Sequence, residues 1–397
     1  MWVYLVIAFL LGILIGTFTG IIPGIHINLV SLILISIITP APEKIPSILV
    51  FIVSMAITHT FIDFIPAIFL GAPDEDTGLG VMPGHELLLK GLGHHAVRLT
   101  IIGSTIAITS LIIIIPLFFL FLPRIYPFLN KMMGWILIWA SIFLIYTEKN
   151  SKTKALIIFF LSGILGIGSL NIGLKEPLLP LLTGLFGSST IIYSIRTKTK
   201  IPKQKVEKIP VLKKDIIKPS IITILVSPIC AILPGLGASQ GAIIGSAIGG
   251  KTSREQFLIL LGSVNTLVTA LSFYILFLIN KSRTGVASAI SQITKITTEE
   301  MILIFVAILI STIILIPYTN FLSKKFAKHI NKINYSKISI FVLILLILIV
   351  AVISGPLGLL VFTISTLIGL TCIEFNVRKG FLMGTLLIPT IIYYLPI

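Results

Sequence analysis

The stretch GTFTGIIPGIHIN, residues 16–28, interrupts an apolar run that is long enough to enter a lipid bilayer. Proline removes a backbone donor and clashes with the preceding turn, and glycine frees the backbone, so Pro23-Gly24 predicts a helix break. Inside hydrocarbon, unpaired backbone N–H and C=O groups are costly, so a break persists only where it is buried in protein or lines a wet cavity. The stretch therefore predicts an interrupted helix at a site with a function.

The same signature returns in the second half of the chain as ILPGLGAS, residues 232–239. An offset of 211 residues relates Pro23 to Pro234, and it also relates Thr58 in MAITHTF to Thr269 in NTLVTAL. Two interrupted hydrophobic segments at corresponding positions of two halves indicate the binding site of a secondary transporter.

The composition is typical of a polytopic α-helical membrane protein rather than a soluble domain or a β-barrel. Of the 397 residues, 56% are hydrophobic and only 11% are charged, and the mean hydropathy is +1.11. The net charge of +16 comes from Lys and Arg in short loops between apolar runs, where the positive-inside rule accounts for them. We therefore expect a multi-pass protein of the cell (plasma) membrane without a nucleic-acid partner. The first segment has no basic n-region and no cleavage site, so we expect it to be retained.

The broken segments predict re-entrant hairpins. The apolar runs are 3–39, 47–70, 96–122, 132–147, 155–172, 177–195, 219–249, 256–280, 300–321, 338–354, 356–372 and 380–396. A straight helix over 219–249 would be roughly 46 Å long, well beyond a hydrocarbon core of about 30 Å. Folded back at Pro234-Gly235, each arm would reach only about 20 Å, which is enough to pass the midplane and return.

Charge placement supports the hairpins. With both segments folded back, each half has about five full crossings, and the basic loops fall on one side: 148–154, 196–218, 251–254, 324–337 and 378–379. An odd number of crossings makes the second half enter from the opposite side. We predict an all-α fold of two inverted-topology repeats, residues 1–195 and 219–397, joined by a basic cytoplasmic linker, 196–218. We expect this linker to be a solvated charge run without a partner.

A hairpin tip presents helix N-terminal N–H groups, which favour an anion. Polar side chains and glycines that permit close backbone approach surround both predicted tips, and the following helix adds an amide. The predicted substrate-binding residues are Pro23, Gly24, His26, Asn28, Pro234, Gly235, Gly237, Ser239, Gln240 and Asn265. The alternative interpretation is that glycine and proline only permit tight helix packing, and that Asn265 only bonds a neighbouring helix.

Ionisable groups near the membrane in the first half are candidates for coupling or gating. Asp63 lies at membrane depth with His59 one turn earlier, so the pair could relay a proton or could be structural. The polar loop 71–95 and the residue shortly after it add Asp74, Asp76, His85 and Arg98.

The sequence contains no motif that is typical of an enzyme or of a metal site. No Ser-His-Asp arrangement, Walker loop, Rossmann fingerprint or trusted metal-ligand spacing occurs, so we predict neither an enzyme nor a metal site. Cys230 and Cys372 fall in apolar runs and suggest no disulfide framework. We expect no cofactor, although H⁺ or Na⁺ could be a coupling ion.

Several motifs resemble the TctA family, the large permease subunit of tripartite tricarboxylate transporters. They are Gly16-x3-Gly20-x2-Pro23-Gly24, IPAIFLGAP at 65–73, PGH at 83–85, LPGLGA at 233–238, REQF at 254–257 and PLLTGLF at 180–186. The likeness covers most of the chain and is to the shorter archaeal branch of the family.

This resemblance implies secondary, cation-coupled uptake of an organic anion such as citrate. It also implies that Pro23-Gly24 and Pro234-Gly235 mark the substrate hairpins. Candidate partners are a small membrane subunit, an extracytoplasmic binding protein, membrane lipid and a second copy of the chain. The alternative function is a carrier of polyprenyl phosphate, a lipid phosphate, because such carriers also use paired Pro-Gly hairpins.

Overall fold

The computed structural model describes most of the chain. The described residues are 2–22, 27, 30–31, 42–70, 77, 81–148, 150–174, 176–196, 202–206, 209–233, 236–250, 252–330 and 335–395. The predicted tip residues Pro23, Gly24, His26, Asn28, Pro234 and Gly235 lie outside them, as do Asp74 and Asp76.

The described residues form helices joined by short connections. The helices of the first half are α1 Trp2–Ile21, α2 Ile45–Ile62, α3 Phe64–Leu70, α4 Val81–Leu89, α5 Gly93–Lys131, α6 Met133–Tyr146, α7 Lys152–Asn171, α8 Leu178–Leu182, a π-helical turn Thr183–Ser188 and α9 Ser189–Arg196. Those of the second half are α10 Lys213–Ile232, α11 Ala238–Ile248, α12 Arg254–Ile279, α13 Gly285–Ile293, α14 Thr298–His329, α15 Tyr335–Glu374 and α16 Gly384–Tyr394. Short 3₁₀ turns at Pro42–Lys44 and Lys379–Met383 precede α2 and α16.

The predicted all-α polytopic membrane class is confirmed. Among the described residues, eight helical segments are long and apolar enough to cross a membrane, and no strand is present. One of them, α15, contains two of the predicted apolar runs, 338–354 and 356–372. The helix is broken between these runs by non-helical backbone at Gly355 (φ 66°), which Pro356 follows. Only glycine adopts such a φ readily, so this residue fixes the position of the break.

Two segments form the centre of the protein. Within their apolar windows, 89% of Ile45–Leu70 and 94% of α12 are buried in protein, against 44% or less for the other six spans. High burial of this kind is typical of a helix that is apolar on all sides and surrounded by other helices. The outer helices instead keep an exposed apolar face for lipid. Helices α1, α4, α5, α10, α11, α13 and α14 pack around this central pair.

Glycines set the packing of α1 on α2. A Cβ atom at Gly12 would lie 1.9 Å from Ser54 Oγ, at Gly16 2.5 Å from the Met55 carbonyl oxygen, and at Gly20 2.9 Å from Ile62 Cβ. The contacts advance in the same order along both helices, so α1 and α2 run parallel. Small residues every four positions permit this close approach in membrane helices.

The helices on either side of Pro234-Gly235 lie side by side. A Cβ atom at Gly241 would lie 2.8 Å from Cys230 Sγ, and at Gly245 2.5 Å from Ile222 Cγ2. The contacts advance in opposite order, so α10 and α11 are antiparallel. Against α12, however, α10 is parallel, because Asp215 pairs with Gln256 and Thr223 with Ser263.

The remaining helices, α6 to α9, α15 and α16, pack mainly on one another and form what we call the second bundle. Glu148, between α6 and α7, accepts a hydrogen bond of 2.9 Å from Arg378 Nε, between α15 and α16. Its side chain is buried. The buried ammonium group of Lys379 donates to the Thr190 hydroxyl. Polar contacts therefore join the two halves of the chain in this bundle too.

The connecting regions differ from the prediction in two ways. The region 71–95 is not only a loop, since it contains helix α4. The linker also has partners: Gln204 is buried, its Oε1 accepts from Gly93 N at 2.9 Å and its Nε2 donates to Leu88 O at 3.0 Å. The expectation of a partnerless linker is therefore wrong at Gln204, because one amide side chain satisfies backbone groups on both sides of the turn before α5.

Candidate functional site

A buried polar cluster joins the two halves at the centre of the protein, between two of the segments that could span a membrane. Asn265 of α12 donates a hydrogen bond of 2.9 Å from Nδ2 to Asp63 Oδ2, at the junction of α2 and α3. Both residues are almost completely buried. A carboxylate at this depth is costly and marks a functional site by default, and the amide compensates part of that cost.

Hydroxyl groups extend this cluster onto α5. The Thr266 hydroxyl lies 2.8 Å from Ser104 Oγ and 3.2 Å from Thr60 Oγ1, within hydrogen-bond distance of both. Ser104 in turn lies 3.4 Å from the Gly262 carbonyl oxygen. We call Thr60, Asp63, Ser104, Asn265 and Thr266 the central polar cluster.

The cluster forms because α5 and α12 cross without side chains between them. A Cβ atom at Gly103 would lie 2.1 Å from the Ile259 carbonyl oxygen, and one at Gly262 would lie 2.5 Å from the Thr100 carbonyl oxygen. No side chain beyond hydrogen fits at these two positions. This backbone contact brings Ser104 and Thr266 within reach of each other.

His59 connects the neighbouring helix α1. Its Nδ1 lies 3.1 Å from Thr19 Oγ1, and both side chains are buried. His59 and Asp63 are four residues apart and so occupy one face of the helix, as the spacing predicts, and they bond Thr19 of α1 and Asn265 of α12. If the Thr19 hydroxyl donates to Nδ1, the proton of the neutral imidazole is on Nε2; if Nδ1 donates to Thr19, the proton is on Nδ1.

The start of α11 lies beside the central polar cluster. A Cβ atom at Gly241 would lie 2.9 Å from Val264 Cγ1, next to Asn265. Gly237 is the N-cap residue and has no side-chain oxygen, so it cannot cap the first-turn N–H groups as Ser253 does for α12. Gln240 accepts from Gly237 N at 3.0 Å, while its Nε2 is buried without a hydrogen-bond partner among the described residues. Ser239 is buried in the same turn.

Two predicted residues lie elsewhere. Arg98 donates to the Ile209 carbonyl oxygen of the linker at 3.3 Å, so it contacts the linker and not the central polar cluster. His85, on α4, is partly buried, and burial lowers its pKa against the opposing effect of a backbone hydrogen bond at Ile68. Both residues belong to the end of the protein where α5 and α12 begin and the linker packs, which we call the linker end.

The linker end contains further charged and imidazole groups. His94 Nδ1 lies 3.0 Å from Ser323 Oγ of α14, and His95 Nε2 lies 3.7 Å from Glu255 Oε1 of α12. Arg254 forms an ion pair with Glu86. These contacts join both halves on one side of the spans.

Sequence reasoning missed part of the site. Thr19, Thr60 and Ser104 were not among the predicted residues, although each is a hydroxyl within an apolar run. Hydroxyls of this kind usually bond the carbonyl one turn earlier, as Thr58 does to Ser54 O, so the sequence alone does not separate the two roles.

Two comparisons with known proteins found matches over nearly the whole chain. The model of the tripartite tricarboxylate transporter TctA family matches residues 6–384. An uncharacterized protein of Methanocaldococcus jannaschii is 30% identical over 402 aligned residues, which cover 97% of this chain and 98% of that protein. No solved structure matches the chain.

Proposed function

The chain belongs to the tripartite tricarboxylate transporter TctA family, and from this membership we propose that it is a secondary active transporter of a carboxylate-type organic anion. Transport proceeds by alternating access around the central polar cluster and is coupled to H⁺ or Na⁺. The hydrogen bond between Asp63 and Asn265 is the observation that carries the proposal. It places an acidic group that can bind a cation at the contact between the two halves.

Packing relations support two inverted repeats. Helix α1 runs parallel to α2, and α10 runs parallel to α12, so each half pairs a broken segment with the next span in the same sense. The spans also exchange partners: α12 packs on α5, and α2 packs on α14. These relations fit two halves related by a pseudo-twofold axis, and the odd number of predicted crossings in each half is our reason for proposing that this axis lies in the membrane plane. The basic linker then lies in the cytoplasm.

The coupling ion acts on Asp63. An ionised carboxylate holds the Asn265 amide through a charge-assisted hydrogen bond, which is stronger than a neutral one. Proton binding removes the charge and weakens this bond, while Na⁺ binding competes with the amide for the same oxygen atoms. Either event changes the strength of the contact between the two halves, which is what alternating access requires.

The substrate binds at the start of α11. A helix N-terminus favours an anion, and the Gln240 amide adds a buried donor without a partner among the described residues. In this proposal Gly237, Ser239 and Gln240 contact carboxylate oxygens. The sequence-based candidates Pro23, Gly24, His26, Asn28, Pro234 and Gly235, which lie outside the described residues, are proposed to bind the same substrate.

Family membership implies further components, because these transporters are tripartite. We propose a small membrane subunit and an extracytoplasmic binding protein as partners, and a homodimer as the assembly. Co-purification of this chain with the products of neighbouring genes tests whether it assembles with these two partners.

Uptake into proteoliposomes tests the function. We expect accumulation of labelled citrate or a related carboxylate that depends on an imposed H⁺ or Na⁺ gradient. Binding of citrate and of a polyprenyl phosphate to the purified protein is measured in parallel. Binding of the lipid phosphate alone, without carboxylate binding or uptake, would overturn the proposal in favour of a lipid-phosphate carrier.

A further inference from the structure

An apolar crevice of about 310 Å³ lies between α5, α12 and α14, away from the central polar cluster. Ile112 and Phe119 of α5, Phe277 of α12 and Ile302 of α14 are among the side chains that line it. The rings of Phe119 and Phe277, which both line the crevice, lie 5.9 Å apart. The crevice is a preformed space for hydrocarbon.

The crevice opens toward the bilayer. Ile112, Phe119 and Ile302 are 53%, 47% and 60% exposed, and they lie on two helices that span the membrane. Thr298, the first residue of α14, also lines the crevice, which therefore extends from the end of a span into the hydrocarbon layer. Lipid chains are the molecules that fill such a space.

A cationic group stands beyond the crevice on the same face of α5. Ile112, Phe119 and Tyr126 are seven residues apart and so lie on one stripe of the helix. Arg283 Nη2 donates to the Tyr126 hydroxyl at 2.8 Å, which places the guanidinium roughly 10 Å past Phe119 along α5. Arg283 Nε is buried without a hydrogen-bond partner among the described residues.

We propose that the crevice and Arg283 together form a phospholipid-binding site. One hydrocarbon chain occupies the crevice, and the phosphate accepts hydrogen bonds from Arg283 at the level of the headgroups. Arginine suits this role because its planar, always charged guanidinium matches phosphate oxygens. The site is separate from the transport site, so it stands whether or not the proposed substrate is correct.

Native mass spectrometry of the full chain tests the proposal. The protein is purified from vesicles of phosphatidylglycerol mixed with a neutral glycolipid that carries the same chains, and the retained lipid is counted. We expect retained phospholipid in preference to the glycolipid. Arg283→Gln should reduce that preference about tenfold, since a hydrogen bond to a charged group is lost. Tyr126 keeps Asn130 as a partner at 3.1 Å, so this variant should fold.

Two matched variants control the result. Arg124→Gln removes an exposed cation of the same helix, and Ile313→Trp adds the same bulk to a lipid-facing position of α14 outside the crevice. Both should retain phospholipid, whereas Ile115→Trp, which fills the crevice, should lose it. Equal retention of both lipids, or equal loss in Ile313→Trp and Ile115→Trp, would overturn the proposal.

Discussion

Asp63 and Asn265 are 202 residues apart in the sequence, and their side chains meet through a hydrogen bond of 2.9 Å in the interior of the protein. One residue ends the central helix of the first half, and the other lies on the central helix of the second half. Neither side chain is accessible to solvent to any useful extent. The bond is therefore both a structural link between the halves and the group on which a coupling ion would act.

Asp63→Asn should strongly reduce ion-coupled uptake while the protein still folds. The asparagine keeps the size of the side chain and can still accept from Asn265, but it cannot ionise. Loss of one charge-assisted interaction corresponds to roughly 10-fold to 100-fold in rate or affinity. Gradient-driven uptake into proteoliposomes measures the loss, and size-exclusion chromatography checks folding. Thr312→Val is the control, because this buried hydroxyl of α14 bonds the Ile308 carbonyl oxygen of its own helix. Undiminished gradient dependence in Asp63→Asn would remove Asp63 from the coupling mechanism.

Thr266→Val should destabilise the protein by about 1–3 kcal/mol. The valine has nearly the same shape, but it removes the α12 hydroxyl that contacts both Ser104 of α5 and Thr60 of α2. Thermal unfolding in detergent measures the change. A double variant with Ser104→Ala should lose less than the sum of the single changes, because both remove the same contact. Additive losses would show that the two hydroxyls do not interact.

Gly262→Ala should prevent the normal packing of α5 on α12. The added Cβ atom would lie 2.5 Å from the Thr100 carbonyl oxygen, a distance at which the backbone must move. Gly168→Ala on the exposed face of α7 is the matched control, because its Cβ would have nothing within 4 Å. We expect low yield or aggregation for Gly262→Ala and a normal, slightly stabilised protein for Gly168→Ala, since alanine favours the helix by about 1 kcal/mol. Equal yields of stable protein would contradict the close approach.

The helical fold could be predicted from the sequence because its determinants are local. A run of apolar residues needs no knowledge of its neighbours to predict a span, and Pro234-Gly235 predicts an interruption whatever surrounds it. The same local logic locates the break in α15 at Gly355-Pro356. It fails for α4, where a short helix lies in a polar region expected to be a loop.

The partners of the site residues could not be predicted, because they depend on helix crossings. The sequence predicts that Asp63 and Asn265 are unusual, but not that they meet, since the meeting depends on how α2 packs against α12. In the same way, the contact of Ser104 with Thr266 depends on the close approach of α5 and α12 at Gly103 and Gly262. Gln204 shows the same limit. Nothing local distinguishes it from the lysines around it, yet its side chain is hydrogen-bonded to two backbone groups that are more than 100 residues away in the sequence.

The Glu148–Arg378 pair should make stability depend on pH at the acid end. Burial raises the pKa of Glu148, but hydrogen bonds from the Asn150 backbone and from Arg378 outweigh this effect and hold the pKa below its usual value. Folding therefore favours the ionised form, so its contribution is fully present above the ordinary carboxyl pKa. It is lost as the pH falls through the lowered pKa.

Glu148→Gln removes that contribution at every pH. We expect the variant to unfold at a lower temperature than the wild type at neutral pH, by an amount equivalent to about 1–3 kcal/mol, because Arg378 loses a charged partner. The two unfolding temperatures should converge as the pH is lowered through the titration of Glu148, since the wild type then also carries a neutral side chain there. Glu374→Gln is the control, because its ion pair with Arg196 is exposed and contributes little. A difference between Glu148→Gln and wild type that stays constant into the acid range would show that the charge of Glu148 does not stabilise the second bundle.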